Sequence, residues 1–332
     1  MDISVIICTY NRSESLRNVL DDLVRQEDVS RFSYEIVIVD NNSADATKSV
    51  CEEYLALKPE IFRYILEPRQ GKTFALNTGI RASRGDIIAF TDDDVVIDSR
   101  WLCSIREAFA AHPACKAFGG RVLPLWPDIV PSWIATEGEF RNIGGTIVVH
   151  DYGADVKSYA SPGMWPPIGA NMFFTKDIFL TYGYFNERLD FAATKIPMLE
   201  DTEFCNRLLK GKEEMLYLPA TLVSHPVDEE RLTKKYFRKY AFKSGRGQCL
   251  VGDLQRNGRR LFNIPLYFYK NVLSCLTQCV VAACRQNPRK SFYFEKLLMY
   301  YAGTMYELFR QRRTATGKDN AFAPSKAPNI TM

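Results

Sequence analysis

The most informative stretch of the sequence is Ile87-Ile88-Ala89-Phe90-Thr91-Asp92-Asp93-Asp94. Its first four residues are apolar without polar alternation, which predicts a short strand covered on both faces. Three carboxylates follow almost directly. Because like charges disfavour one another, such a cluster is costly unless a cation lies beside it. Divalent cations that prefer oxygen ligands, and that also bind phosphates, suit this strand end.

The chain before this stretch alternates predicted strands with predicted helices. The earlier strands are predicted at residues 4–8, 35–39 and 62–66. This alternation indicates an α/β fold with a Rossmann-like, mostly parallel sheet and flanking helices. Ligands bind at the carboxyl ends of such strands, and Thr9, Asp40 and Asp92 all follow strand ends. A solvated acidic turn is the alternative for the triplet, but its place after a buried strand favours a ligand site.

The middle of the chain is predicted to form long loops, because residues 124–168 are rich in Gly, Pro and Trp and weakly periodic. Loops of this length are usually functional or mobile. Trp126, Trp133 and Trp165 either stack on a sugar or lipid or pack the loops onto the core. Both interpretations remain open at this stage.

Regular structure is predicted again in the following part of the chain. Residues 169–175 are followed by a helix that begins near Glu200 and Asp201. Two last strands are predicted at residues 215–218 and 222–223, and the second leads to His225. The first predicted domain therefore covers residues 1–225.

The composition then changes, and residues 226–310 are predicted to form a helical region. Residues 231–246 carry basic side chains between aromatic ones, which suits a solvated helix face or contact with anionic headgroups or an acceptor diphosphate. Residues 261–284 are apolar but interrupted, and they fall short of the ~20 apolar residues that span a bilayer. They form either a core helix or a helix in a membrane interface. Residues 311–332 are predicted to be a disordered tail.

The net charge and the cysteine content indicate which partners and which cellular compartment to expect. The 332 residues carry a net charge of +4, which is too small to predict nucleic-acid binding. The 9 cysteines include no Cys-x-x-Cys pair, which favours reduced thiols in a cytosolic protein. The N-terminus lacks the pattern of a signal peptide. We therefore expect a cytoplasmic protein, either free or peripheral at the inner face of the membrane.

The sequence resembles the inverting glycosyltransferases of family 2, which have the GT-A fold. The resemblance covers about residues 3 to 225 and rests on motifs that occur in the family's order. These motifs are residues 4–12, 35–43, 69–72, 75–80, 82–86, 90–94, 169–172, 183–187 and 200–201, Leu218-Pro219 and His225. The helical region after residue 225 lies outside this common core.

The resemblance implies a site for a nucleoside diphosphate sugar, with UDP as the usual nucleotide. The implied donor-binding residues are Thr9, Tyr10, Arg12, Asp40, Arg69, Asn77, Asp92 and Asp93. Among these, Asp40 would accept from the nucleobase, and Arg69 would face the base or the diphosphate. Asp92, Asp94 and His225 would bind Mn²⁺ or Mg²⁺, although the sequence leaves open which two of the three aspartates contact the ion.

The resemblance also implies the residue that activates the acceptor. Asp201 matches the family's catalytic base, and Glu200 beside it would assist or orient the acceptor. A sugar hydroxyl is a poor nucleophile until a carboxylate takes its proton, and a single displacement inverts the anomeric centre. A helix N-terminus is expected to keep such a carboxylate ionised. An acidic first helical turn without catalytic function is the alternative.

The sequence therefore predicts transfer of a sugar to a glycan or lipid-linked acceptor. Two other hypotheses are a sugar-1-phosphate nucleotidyltransferase and a nucleotide-sugar-binding pseudoenzyme. Nucleotidyltransferases resemble one another in a Gly-rich segment after the first strand, whereas this chain has Thr9-Tyr10-Asn11-Arg12. A pseudoenzyme is expected to have lost the carboxylates that this chain retains.

Overall fold

The computed structural model describes residues 1–190, 194–196, 199–251 and 259–316, with side chains to residue 311. Contacts divide the chain after Phe237 into two compact units. Residues 226–237, which follow the predicted domain boundary, belong to the first of these units. Each unit is described separately.

The first half of the first unit alternates strands with helices, as the sequence predicts. Its elements are β1 (Ile3–Thr9), α1 (Ser13–Val24), β2 (Tyr34–Asp40), α2 (Thr47–Leu57), β3 (Phe62–Leu66), α3 (Lys72–Ala82) and β4 (Ile87–Thr91). The four strands are parallel, in the order β3-β2-β1-β4. Their carboxyl ends therefore lie at one edge of the sheet.

The second half of this unit extends the same sheet. Its main elements are β5 (Val96–Ile97), α4 (Trp101–Ala111), β6 (Ala117–Leu125), β7 (Lys157–Ser158), β8 (Asn171–Thr175), α5 (Asp177–Tyr182), α6 (Glu200–Lys210) and β9 (Met215–Pro226). Among the described residues the sheet has 9 strands, and its order continues from β4 as β8-β6-β9-β5 with β7 beside β9. The predicted mixed, mostly parallel sheet is confirmed, and the two predicted last strands form one strand, β9.

The central strands are buried on both faces, which explains their lack of polar alternation. Val5 and Ile7 of β1 pack into one apolar core, whereas Ile6 packs into a second core on the other face. Each fully buried aliphatic side chain contributes about 1.5–3 kcal/mol to folding. Helices cover both faces of the sheet. Polar groups therefore reach these strands at the edge formed by their carboxyl ends.

In the part of the second unit that the structure describes, there are three long helices and a small hairpin. These elements are α7 (Lys234–Val251), which begins just before the unit boundary, the hairpin of β10 (Arg260–Leu261) and β11 (Ile264–Pro265), α8 (Leu266–Cys284) and α9 (Pro288–Thr316). The predicted helical region is therefore present, and the helix reaches six residues into the segment predicted as a tail. The remainder of that segment, residues 317–332, lies outside the described residues. Within the described chain, no helix has the length and apolar content to cross a membrane.

Candidate active site

The carboxyl ends of β1, β2 and β4 bring the predicted polar residues to one edge. Thr9 lies opposite Asp40 across β1 and β2, and Ile7 lies opposite Thr91 across β1 and β4. Asp92 follows Thr91 directly. The strand register thus explains how residues that are far apart in the sequence come to line one edge of the sheet.

The short strand β5 brings the end of β9 to the same place. It follows the three aspartates and pairs antiparallel with β9, so that Val96 lies opposite Ser224. One ligand atom from each of Asp92, Asp94 and His225 lies within 4.8 Å of the others. These three side chains were the predicted metal ligands, and the structure brings them together as one candidate metal site.

His225 is oriented as metal-binding histidines are. Its Nδ1 lies 2.8 Å from the carbonyl oxygen of Pro226. Because a carbonyl oxygen only accepts, Nδ1 carries the proton and donates, which leaves the Nε2 lone pair available as a ligand. Nε2 lies 3.5 Å from Oδ1 of Asp94. One imidazole and two carboxylates form a donor set that suits Mn²⁺, with Mg²⁺ requiring more oxygen ligands.

Two cationic side chains contact the three aspartates. Lys72 Nζ lies 2.5 Å from Oδ1 of Asp92, and the Arg12 guanidinium contacts both Asp93, at 3.1 Å, and Asp94. Lys72 lies within one of the quoted motifs, but the sequence alone did not assign it a function. Its position at the first turn of α3, which follows a strand of the same sheet edge, is the signal that could have found it.

The pKa values of Asp92 and Asp93 shift in opposite directions. Burial opposes ionisation of Asp92, but the adjacent Lys72 ammonium outweighs it and holds the pKa of Asp92 below its usual range. Burial raises the pKa of Asp93 to about 6, although Arg12 opposes this shift. Of these two residues, Asp92 keeps its charge to the lower pH, and ionised carboxylates are the form that ligates metals.

Asp190 fixes the start of α3, where Lys72 lies. Oδ2 of Asp190 accepts from the backbone N–H of Thr73 at 2.8 Å. Gly71 precedes the helix at a φ of 144°, and a Cβ there would lie 2.6 Å from the Asp190 carboxylate. Glycine is therefore required at this position, both for its backbone conformation and for the close approach of Asp190.

Asp201 lies in the first turn of α6 and is buried. Its Oδ2 accepts from the N–H of Gly169 at 3.0 Å, and its Oδ1 accepts from the N–H of Thr202 at 2.6 Å. A Cβ on Gly169 would lie 3.6 Å from Oδ2 of Asp201 and 3.7 Å from Nζ of Lys72. Asp201 and Lys72 therefore both face Gly169 at the sheet edge.

The ionisation of Asp201 differs from the sequence-based expectation. Burial raises the pKa of Asp201, and it outweighs the opposing hydrogen bonds and the Lys72 charge. Burial and the neighbouring Asp201 charge raise the pKa of Glu200 to about 7. Oε2 of Glu200 is buried and has no hydrogen-bond partner among the described residues. The helix N-terminus does not compensate for the removal of these carboxyl groups from water.

Asp40 and Arg69 are held by neighbouring side chains. Oδ1 of Asp40 accepts from the N–H of Ser43 at 2.8 Å, and its Oδ2 accepts from the Tyr64 hydroxyl at 2.9 Å. Arg69 donates two hydrogen bonds to the carboxylate of Glu67, at 2.9 and 2.8 Å. Both predicted donor-binding residues are thus in fixed orientations.

Asn77 differs from the other predicted donor-binding residues. It is buried in α3, and its amide oxygen accepts from the N–H of Phe185 at 3.0 Å. Its amide nitrogen donates to the Phe185 carbonyl at 3.0 Å and to Glu187 at 3.2 Å. Because these contacts hold the turn at residues 183–187 against α3, we leave Asn77 out of the proposed donor site.

The aromatic residues that the sequence singles out differ in exposure. Thr9 is buried, whereas the adjacent Tyr10 is 49% exposed. Trp133 packs against Phe237, with ring centroids 5.0 Å apart. Trp165 is 68% exposed in the segment that leads to Gly169. Trp133 therefore has a packing role, whereas Trp165 presents a ring to the surface.

Three comparisons with known proteins agree with this architecture. Residues 4–149 match the family model for glycosyl transferase family 2. The chain is 23% identical over 236 residues to the glucosyl-dolichyl phosphate glucuronosyltransferase of Haloferax volcanii, which covers 70% of this chain and 71% of that protein. It is 25% identical over 294 residues to the succinoglycan biosynthesis protein ExoM of Rhizobium meliloti. This match covers 86% of this chain and 88% of ExoM.

The fold is also similar to that of a solved structure. The mannosyltransferase PcManGT from Pyrobaculum calidifontis, in complex with GDP-Man and Mn²⁺, superposes with a TM-score of 0.58 at 16% identity. The match covers 93% of this chain and 87% of that one. The sheet and its polar edge therefore have the GT-A fold. Over residues 4–149 the chain is similar to glycosyltransferase family 2, and over most of its length it is similar to the two proteins named above.

Proposed function

We propose that the chain transfers a sugar from a nucleoside diphosphate sugar to a hydroxyl group of a glycan or lipid-linked acceptor, with inversion at the anomeric carbon. UDP is the expected nucleotide. The observation that supports this proposal best is the candidate metal site of Asp92, Asp94 and His225, because it lies at the sheet edge that also holds Asp201. The metal site would neutralise the charge of the leaving group, and Asp201 would take the proton of the attacking hydroxyl.

The donor would bind along the edge formed by β1 and β2. Asp40 would accept from the nucleobase, and Thr9 and Tyr10 would line the base pocket. Arg69, held by Glu67, would place its remaining guanidinium surface toward the base or the diphosphate. Asp93, paired with Arg12, would lie beside the donor next to the metal ligands.

The side chains at the metal site fit a divalent cation. Asp92, Asp94 and His225 would hold Mn²⁺ or Mg²⁺, since their ligand atoms already converge and Nε2 of His225 bears the available lone pair. When bound, the ion neutralises the charge of the departing nucleoside diphosphate. Lys72, beside Asp92, would add a second positive charge at the same edge.

The acceptor hydroxyl would lose its proton to Asp201. Its two backbone hydrogen bonds fix the orientation of the carboxylate, and its raised pKa makes it a stronger base than an exposed aspartate. Glu200, whose pKa is raised to about 7, would orient the acceptor or Asp201. Its buried Oε2 has the hydrogen-bonding capacity for this role.

A lipid-linked acceptor is supported by the matched relatives. The glucuronosyltransferase from Haloferax volcanii is named for a glucosyl-dolichyl phosphate, and ExoM is named for succinoglycan biosynthesis. An acceptor that is anchored in a bilayer would require the enzyme to work at a membrane surface. We therefore propose a cytoplasmic location with peripheral contact at the inner face of the membrane.

Titration calorimetry with UDP and GDP tests the donor and metal proposals together. We expect UDP to bind in the presence of Mn²⁺ and to bind at least about tenfold more weakly after chelation with EDTA, because the diphosphate loses its counter-charge. Asp94→Asn should weaken binding to a similar extent even with Mn²⁺ present. Glu60→Gln, an exposed carboxylate on the surface, is the matched control. UDP binding that is unaffected by EDTA and by Asp94→Asn would rule out the metal role.

A further inference from the structure

Helix α8 carries an exposed apolar stripe. Leu266, Leu273 and Val280 are 45%, 66% and 62% exposed and recur every seven residues, and Leu276 on the same side is 47% exposed. At a rise of 1.5 Å per residue, the stripe from Leu266 to Val280 is about 21 Å long. We refer to these four side chains as the outer face of α8.

The outer face of α8 is not the side that holds the second unit together. Phe268, Cys275 and Ala282 also recur every seven residues, on the opposite side of the helix, and all three are buried. Phe268 belongs to the small core of this unit with Ile264 and Leu308. Among the described residues, only the buried side of α8 is used for packing, so the apolar character of the outer face needs another explanation.

The hairpin before α8 continues the apolar surface. Its strands pair Leu261 with Ile264, which leaves Phe262 and Asn263 as the two turn residues. Phe262 has a φ of 52° and is 57% exposed, and Leu261 is 48% exposed. Such turns favour asparagine and glycine, since a bulky side chain is strained at positive φ. Phe262 and Leu261 thus add exposed apolar area next to the start of α8.

The charged residues of the segment that carries this surface have one sign. Between Arg259 and Phe294 the sequence contains six basic residues and no acidic residue. The basic residues are Arg259, Arg260, Lys270, Arg285, Arg289 and Lys290. Their summed charge exceeds the net charge of +4 of the whole chain, so positive charge is concentrated here. Two copies of such a surface would repel each other, whereas an anionic surface would attract it.

We propose that the outer face of α8, together with Leu261 and Phe262, docks on an anionic lipid membrane, with the helix lying in the plane of the interface. The apolar side chains would enter the boundary of the acyl chains, and the basic residues would contact the headgroups. The helix lacks the continuous apolar character needed to cross a bilayer. This proposal goes beyond the transfer reaction and can fail or succeed independently of it.

Flotation of the full chain with lipid vesicles tests the proposal. We expect the protein to float with vesicles of phosphatidylglycerol and phosphatidylcholine in equal parts, and to remain behind with phosphatidylcholine alone. High salt should weaken the binding, since exposed charges are screened. Leu273→Glu with Val280→Glu should reduce the partition coefficient on the order of tenfold or more, because both side chains would have to leave the interface. Lys270→Gln should reduce the partition coefficient about fivefold, because one basic residue no longer contacts the headgroups.

The matched control is Leu180→Glu, which introduces the same charge at a leucine that is 81% exposed in α5, outside this surface. Circular dichroism and UDP binding of each variant show whether it is folded. Wild-type protein that stays soluble with the anionic vesicles overturns the proposal, as does a double variant that floats like the wild type. A dimer in solution that Leu273→Glu dissociates would also overturn it, because the occupant would then be a second copy of the chain.

Discussion

Asp201 is buried, yet both of its carboxylate oxygens receive backbone hydrogen bonds. The hydrogen bonds hold the carboxylate in place, and burial raises its pKa. An aspartate in water is too weak a base to take a proton efficiently from a sugar hydroxyl, and a raised pKa improves the match. The environment of this one residue therefore links the packing of α6 to the proposed chemistry.

We predict that Asp201→Asn abolishes transfer and preserves donor binding. The amide retains the shape of the side chain and lacks a basic oxygen, so release of nucleoside diphosphate from the donor in the presence of an acceptor should fall about 10²–10⁴-fold. UDP affinity in calorimetry should change little. Glu203→Gln, in the same helical turn but partly exposed and paired with Arg207, should retain turnover. Near-normal turnover of Asp201→Asn would assign the base to another residue.

Helices α7 and α9 approach each other at two glycines. A Cβ on Gly245 would lie 1.9 Å from the carbonyl oxygen of Tyr300, and a Cβ on Gly303 would lie 1.9 Å from that of Phe242. Backbone atoms cannot move aside as a flexible side chain can. The close approach also places the carboxylate of Glu307, which is fully buried, beside Arg246 at 2.9 Å. The two helices therefore depend on small residues at their contact.

We predict that Gly303→Ala destabilises the second unit. Alanine improves helix propensity by about 1 kcal/mol, but separation of the two helices should cost more, so that the net loss is about 1–3 kcal/mol. Urea unfolding followed by circular dichroism measures this loss. Gly144→Ala is the control, because a Cβ there has nothing within 4 Å. An unchanged unfolding midpoint for Gly303→Ala would contradict this account of the contact.

Stability of the whole molecule should depend on a buried histidine. His150 is 3% exposed, its Nε2 lies 2.6 Å from the Tyr159 hydroxyl, and burial lowers its pKa to about 4. Above its ordinary pKa of 6.5, the imidazole is neutral in both the folded and the unfolded chain. As the pH falls from 6.5 toward 4, the unfolded chain binds the proton first, so folding stability is lost in this window.

We predict that this loss reaches about 3 kcal/mol below about pH 4, from 1.36 kcal/mol for each pKa unit. Because carboxyl groups also titrate in this range, the useful quantity is the difference in unfolding free energy between the wild type and His150→Gln. That difference should be constant above about pH 7 and should shift in favour of the variant as the pH falls. A difference that does not vary with pH would show that folding leaves the pKa of His150 unchanged.

The sequence was sufficient for the parallel strands β1 to β4, but it did not predict β5, β6 and β7, and it was only partly sufficient for the candidate site. Unbroken apolar runs predict strands such as β1 and β4, because local composition determines whether both faces can be buried. The convergence of Asp94 with His225 was predicted through family resemblance, whereas its physical cause is the pairing of β5 with β9. Lys72 was not assigned a function, and Asn77 was assigned to the donor site although its amide is bonded to Phe185 and Glu187. Such side-chain partners depend on the packing of distant segments.

The position of β9 has a consequence for how the protein is made. β9 lies within the sheet, between β6 and β5, and it supplies His225 to a cluster whose other members are Asp92 and Asp94. A ribosome synthesises the N-terminal strands first, and β1 to β4 can pair with one another as they emerge. The cluster of Asp92, Asp94 and His225 cannot assemble until β9 has left the ribosome. A nascent chain that is truncated before residue 215 therefore carries the two aspartates without the histidine that completes their site.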